Sequence, residues 1–185
     1  KQDNCRATRE RGEQSDLSFD RSALCLERGR SAWTTLLTMF VTAEAALVAD
    51  AEALVADLPS PERCRVLEAL QADGSRDRPD DPGDAARRGL LDRAQILMRV
   101  NQGREAAELL TAGLTRIRDA GDVAKEAEAL LLLGKIQGRL LGDGAGAIGS
   151  LHQAYDRASA AGRTDLTWDV WSSLASVTSD VLDAP

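Results

Sequence analysis

Apolar residues recur along this chain at three- and four-residue spacing, the period of a helix face, nearly from end to end, and a few Gly- and Pro-containing breaks divide the pattern into elements. The first break is Arg11-Gly-Glu-Gln-Ser15. Before it the pattern predicts a short helix over Asn4–Arg11. After it, Ser15 is an N-cap candidate for a helix to about Val41, with Leu17, Leu24, Leu26, Trp33, Leu36, Leu37 and Phe40 on its apolar side. A second helix is predicted from about Ala43 to Leu58, stopped by Pro59-Ser60-Pro61, and a short one from Glu62 to Ala72. Residues 1–72 thus read as a small helical bundle. Residues 73–83 hold Asp, Pro, Gly and Arg but no bulky apolar side chain, and read as an acidic Pro/Gly linker.

From residue 84 to 185 the helical pattern repeats. Helices are predicted at about Asp84–Val100, Arg104–Asp119, Val123–Leu141, Gly144–Ala160 and Thr164–Leu182, each separated from the next by a short turn containing Gly. Small residues that let helices approach closely fall at Ala94, Gly134 and Ala175, at intervals of 40 and 41. A period of that size marks an array of helical hairpins, so the expected fold is all-α, an N-terminal bundle followed by an α-solenoid.

Composition agrees. Hydrophobic residues make up 43% of the 185 positions and aromatics only 3%, a balance that packs helix on helix rather than sheet on sheet. The formal charge of -7, with 23 basic residues dispersed among 30 acidic ones, leaves no basic run to follow a phosphate backbone, so nucleic acid is not an expected partner. The longest uncharged stretch, Ser31–Ala43, falls short of the roughly 20 residues a membrane helix needs. The first residue, Lys1, follows neither a methionine nor a signal-peptide pattern, and the expectation is a segment of a longer protein.

Three features carry candidate chemistry. Gly144, Gly146 and Gly149 match G-x-G-x-x-G, but a phosphate-binding fingerprint must leave a strand and open a helix. The preceding EAEALLLLGKIQGRLL is a leucine-rich helix former with one β-branched residue, Ile136. The glycines are therefore expected to form a turn between two helices. Asp73, Ser75 and Asp77 alternate like calcium ligands, yet Arg78 stands where the turn glycine belongs and Asp84 where the bidentate Glu belongs, so a metal is not expected. His152 is the sole histidine, on a predicted helix with no nucleophile or carboxylate at catalytic spacing, and no H-R-D or D-F-G kinase motif occurs. Neither catalysis nor a cofactor is expected of this segment.

The second half resembles tetratricopeptide (TPR) repeats. With Arg87 as first position, Leu90, Ala94, Leu97, Ala106, Leu110 and Gly113 take the motif's small and large apolar sites. Leu130, Gly134, Ala147, Leu151 and Ala154 follow in a second repeat, with one extra turn residue, and Trp171 and Ala175 begin a third. Leu replaces most of the motif's aromatics, and the period exceeds the usual 34. The first half, with Cys5, Gly12–Ser15, Cys25-Leu-Glu-Arg28 and Leu58–Cys64 in that order, is similar to the region that joins kinase domain to TPR array in large bacterial serine/threonine protein kinases of myxobacterial type. That resemblance covers about the first 65 residues.

The resemblances imply a non-catalytic protein-interaction region of a membrane-tethered signalling kinase, facing away from the cytoplasm; the alternative locations and roles are the cytoplasm and a structural spacer or self-association unit. The TPR register implies a concave face lined by Arg88, Leu91, Gln95, Met98 and Arg99, then Glu128, Leu131, Lys135, Gly138 and Arg139, then Asp169, Ser172 and Ser176. Arg99, Lys135 and Arg139 would form a basic spot flanked by Leu91, Met98 and Leu131, suited to a protein or peptide with acidic and apolar side chains. Cys5 and Cys25 flank the Gly12–Ser15 turn, where antiparallel helices would bring them together as a disulfide; buried free thiols are the other reading. The last helix, apolar on several sides through Leu166, Trp168, Val170, Trp171, Leu174, Val177 and Val181, is expected to bury that surface by self-association or packing.

Overall fold

In the computed structural model the described residues are 16–41, 45–56, 58, 60–65 and 83–182. Among them the structure is all-helical, with eight α-helices and no strand. The chain divides into two compact units, Lys1–Asp81 and Pro82–Pro185.

The first unit contains α1 (Asp16–Val41), α2 (Ala45–Ala49), α3 (Ala51–Ala56) and a 3₁₀ turn at Pro61–Arg65. The single helix expected over Ala43–Leu58 is broken at Asp50, whose carbonyl accepts the first bond of α3 from the Leu54 N–H at 3.0 Å, a capping position that Asp favours. Pro61 opens the 3₁₀ turn where a longer helix from Glu62 was expected; residues 66–72 of that helix, the Asn4–Arg11 helix, the Ser15 cap and residues 73–82 of the linker lie outside the described residues. Leu36, Met39, Leu47, Leu54 and Cys64 are buried.

Cys25 on α1 is bonded to Cys64 in the 3₁₀ turn, with Cα atoms 5.5 Å apart. This corrects the expected Cys5–Cys25 pair: Cys25 already has its partner, and Cys5 lies outside the described residues. The turn at Pro61 brings Cys64 against α1, and the buried Ser22 hydroxyl, one turn before Cys25, donates to the Cys64 carbonyl.

The second unit is α4 (Asp84–Arg99), α5 (Gly103–Asp119), α6 (Val123–Arg139), α7 (Gly144–Ala160) and α8 (Thr164–Leu182), within a residue or two of the boundaries that the periodicity predicts. Each helix packs on the next, and α4 also meets α6, as α6 meets α8. Left-handed residues end the first four helices: Asn101, Gly121, Gly142 and Gly162, with φ of 61°, 67°, 66° and 66°. Three of these turns close with the same backbone bond, five residues back, from Gln102 to Leu97, Asp122 to Ile117 and Arg163 to Ala158; at the α6–α7 turn the Asp143 N–H reaches back six residues to the Gln137 carbonyl. That connection is one residue longer than the one between α4 and α5.

The G-x-G-x-x-G glycines belong to this α6–α7 junction. Gly144 starts α7, the Asp143 carboxylate caps it by accepting from the Gly146 N–H at 2.8 Å, and a helix rather than a strand delivers the chain. A side chain at Gly146 would collide with that carboxylate, so glycine here serves the cap. Gly134 serves packing: a Cβ there would lie 2.7 Å from Leu151 Cγ and 3.2 Å from the Ala147 carbonyl, which is how closely α6 and α7 approach.

Candidate partner-binding face

The burial pattern of α5 recurs on α7. Ala106, Leu110, Gly113 and Ile117 on α5 are buried, and 41 residues on so are Ala147, Leu151, Ala154 and Ala158 on α7. The turns that follow are alike, with Gly121 and Gly162 in the same left-handed conformation and the same five-residue backbone bond. Identical turns after equivalent helices carry the 41-residue step into the next helix, so α6 and α8 correspond: Ala127 to Trp168, Leu130 to Trp171, Gly134 to Ala175 and Ile136 to Val177.

On α6 the first three of these are buried, and Gly134 lies directly under Leu151 of α7. On α8 they are open: Trp168 is 77% exposed, Trp171 57%, and Ala175 is exposed as well. The opposite side of α8 is packed, with Leu166, Val170, Ser173 and Val177 buried and Val177 against Gly138 of α6. Tyr155 on α7 meets Trp171 edge to face, ring centroids 5.7 Å apart. Beside them a cleft of about 280 Å³ opens between the end of α7 and the start of α8, with Tyr155, Ser159, Arg163, Thr167 and Trp171 in its wall.

The residues expected on the concave face fall into three groups. Leu91 and Leu131, expected as its apolar flanks, are only 7% and 6% exposed and belong to the packed interior. Arg88 pairs with the buried Asp84 within α4, whereas Glu128, which takes a hydrogen bond from Arg163 at 3.0 Å, and Gly138, which lies under Val177, hold neighbouring elements together. Gln95, Arg99, Arg139, Asp169 and Ser172 are exposed, and Met98, Lys135 and Ser176 are half-buried. Lys135 and Arg139 stand one turn apart on α6, and neither forms an ion pair among the described residues, so the two charges are available to a ligand.

The charges at the junctions of α4, α6 and α8 were not legible as structural. Lys125 Nζ lies 2.7 Å from Asp84 and 3.6 Å from Asp122, and Arg87 lies 3.3 Å from Asp122, a cluster in which Asp84 and Lys125 are both buried. The buried Glu126 bridges Arg118 at 2.7 Å and Arg157 at 3.1 Å. Buried charges of this kind persist only when paired. At the start of α8, Arg163 binds Asp165 through two nitrogens, at 2.9 and 2.6 Å, and Glu128 through a third. The hydrogen bond from Arg163 holds the Asp165 carboxyl below its usual range, against the opposing effect of burial. Such acid–base pairs, scattered through the sequence, carry no helical period that would flag them in advance.

Among the described residues no helix is long and apolar enough to cross a membrane. No protein-family model matches the chain, and no curated protein and no solved structure matches it either.

Proposed function

We propose that the chain is a non-catalytic protein-interaction region in which TPR-like helical hairpins present α4, α6 and α8 to a partner, as the sensory or docking part of a bacterial serine/threonine signalling kinase. The observation that carries the interaction reading is the 41-residue correspondence between hairpins, together with Lys135 and Arg139 on the middle helix of that row, which form no ion pair among the described residues. Cations without an ion pair among the described residues, with exposed Gln95 and half-buried Met98 on α4, favour an extended or helical segment with acidic and apolar side chains. The kinase setting rests on the order of Cys5, Gly12–Ser15, Cys25–Arg28 and Leu58–Cys64. The Cys25–Cys64 bond joins two of those elements and supports an oxidising, extracytoplasmic location.

The interaction reading is tested with an array of peptides rich in Asp, Glu, Leu and Phe, probed with the wild-type chain and with K135E/R139E. Peptides held by the wild type and released about tenfold faster by the double variant, whose far-ultraviolet circular dichroism is unchanged, are the expected result. Equal retention by both proteins removes this face. The kinase setting predicts that the coding sequence upstream of Lys1 specifies an apolar run of about 20 residues preceded by H-R-D and D-F-G motifs; a gene without them overturns it.

A further inference from the structure

Along the first half of α5 runs an open groove of about 440 Å³, separate from Lys135 and Arg139. Ala107, Thr111 and Ala112 of α5 and the exposed Leu141, just past the end of α6, form its apolar wall, with Arg104 and Glu108 beside them. We infer that this groove docks a second copy of the chain, the two α5 helices running antiparallel about a two-fold axis level with Ala106.

Charge complementarity selects that occupant. Arg104 and Glu108 are exposed and one turn apart, and among the described residues neither forms an ion pair, with the other or with any third side chain. In an antiparallel pair of identical helices related by a two-fold axis, position i meets position j and j meets i. An axis level with Ala106 therefore sets Arg104 of each copy against Glu108 of the other, so that one patch supplies both halves of two opposite-charge contacts. The helix itself does not account for these charges. A base preceding an acid is the weaker order for a pair one turn apart, and a cation in the first turn opposes the helix dipole. The surface between the charges suits the same arrangement. Ala107, Thr111 and Ala112 are small enough to admit a second helix closely. Leu141 lies beside Gly103 at the start of α5, so this register carries Leu141 of the second copy over the Glu108 end of the groove. The inference goes beyond the peptide-binding reading and uses a different surface.

Sedimentation equilibrium of the full chain tests it, and a monomer–dimer equilibrium that high salt weakens is expected. R104E and E108R each place like charges at both contacts of the two-fold, so either alone should raise the dimer dissociation constant about tenfold or more. Mixing R104E with E108R restores opposite charges at both contacts, and the mixture should dimerise about as tightly as the wild type. Leu141→Lys should weaken the dimer as well. All three substitutions fall at exposed positions, and unchanged far-ultraviolet circular dichroism verifies that the variants fold. A chain that stays monomeric up to about 1 mM overturns the inference. So does a dimer indifferent to R104E and E108R, which locates self-association elsewhere, or a mixture that associates no better than its separate variants. K135E/R139E should dimerise as the wild type does, and R104E should leave retention on the peptide array unchanged, so failure at one surface is distinguishable from failure at the other.

Discussion

Gly134 and Gly149 are both helical glycines, and the space around them gives them opposite roles. A Cβ at Gly134 would meet the Leu151 side chain at 2.7 and 2.9 Å and the Ala147 backbone oxygen at 3.2 Å, whereas one at Gly149 meets nothing within 4 Å. Replacing glycine by alanine in a helix gains up to about 1 kcal/mol, and forcing a methyl group into a packed interface costs about 1–3 kcal/mol. Gly149→Ala should therefore stabilise the chain by up to about 1 kcal/mol, while Gly134→Ala should destabilise it by about 1–2 kcal/mol. Urea midpoints at unchanged slope measure both, and shifts of the same sign would refute the assignment. The sequence distinguishes these glycines only in part. The 40- and 41-residue spacing marks Gly134 as a packing position, but G-x-G-x-x-G treats Gly149 and Gly146 alike, although one is open and the other is shaped by the Asp143 cap. Leu91 and Leu131 show the complementary limit: register placed them on a binding face, and only the approach of neighbouring helices makes them interior.

Among the elements, the five helices of the second unit were legible because period, turn glycines and N-terminal acids all point to the same boundaries. In the first unit the signals conflict: Ala and Leu continue a helical pattern through Asp50, while Asp is a residue that favours helix starts, and the helix breaks there. Ion pairs between elements were the least legible, and Arg163–Asp165 at the head of α8 makes a pH prediction. The folded-state pKa of Asp165 is lowered, chiefly by the Arg163 hydrogen bond. Its contribution is accordingly full above the unfolded carboxylate pKa of about 3.9 and is lost as pH falls through the lower folded value. The stability difference between wild type and Asp165→Asn should be constant from about pH 5 to 7 and shrink below about pH 4. Because Asp165 is substantially exposed, that difference should also diminish in high salt. A gap that widens on acidification would contradict the pairing.

At the scale of the whole molecule, the chain holds two compact units, and only the first contains cysteine. With three cysteines the sequence permits three pairings, and proximity across the Gly12–Ser15 turn singled out Cys5 and Cys25. What decides the matter is the 3₁₀ turn at Pro61, which sets Cys64 against α1. The resulting bond spans 39 residues, a loop whose closure removes unfolded-state entropy worth about 4 kcal/mol on the chain-entropy estimate. The second unit draws its stability from elsewhere, from the interlocked Ala and Leu faces of α4–α8 and the paired charges between α4 and α6. The two sources predict different responses to reduction. In the oxidised full chain, dithiothreitol or the Cys25→Ser/Cys64→Ser variant should lower the stability of the first unit by up to about 4 kcal/mol. A fragment of Pro82–Pro185 should fold alone, with cooperative unfolding and the helicity of five helices, and should be indifferent to reductant. Guanidinium titrations followed by circular dichroism on chain and fragment compare the two directly. If the fragment fails to unfold cooperatively, α4–α8 is not a self-sufficient core, and the division of stability between a stapled unit and a packed one is wrong.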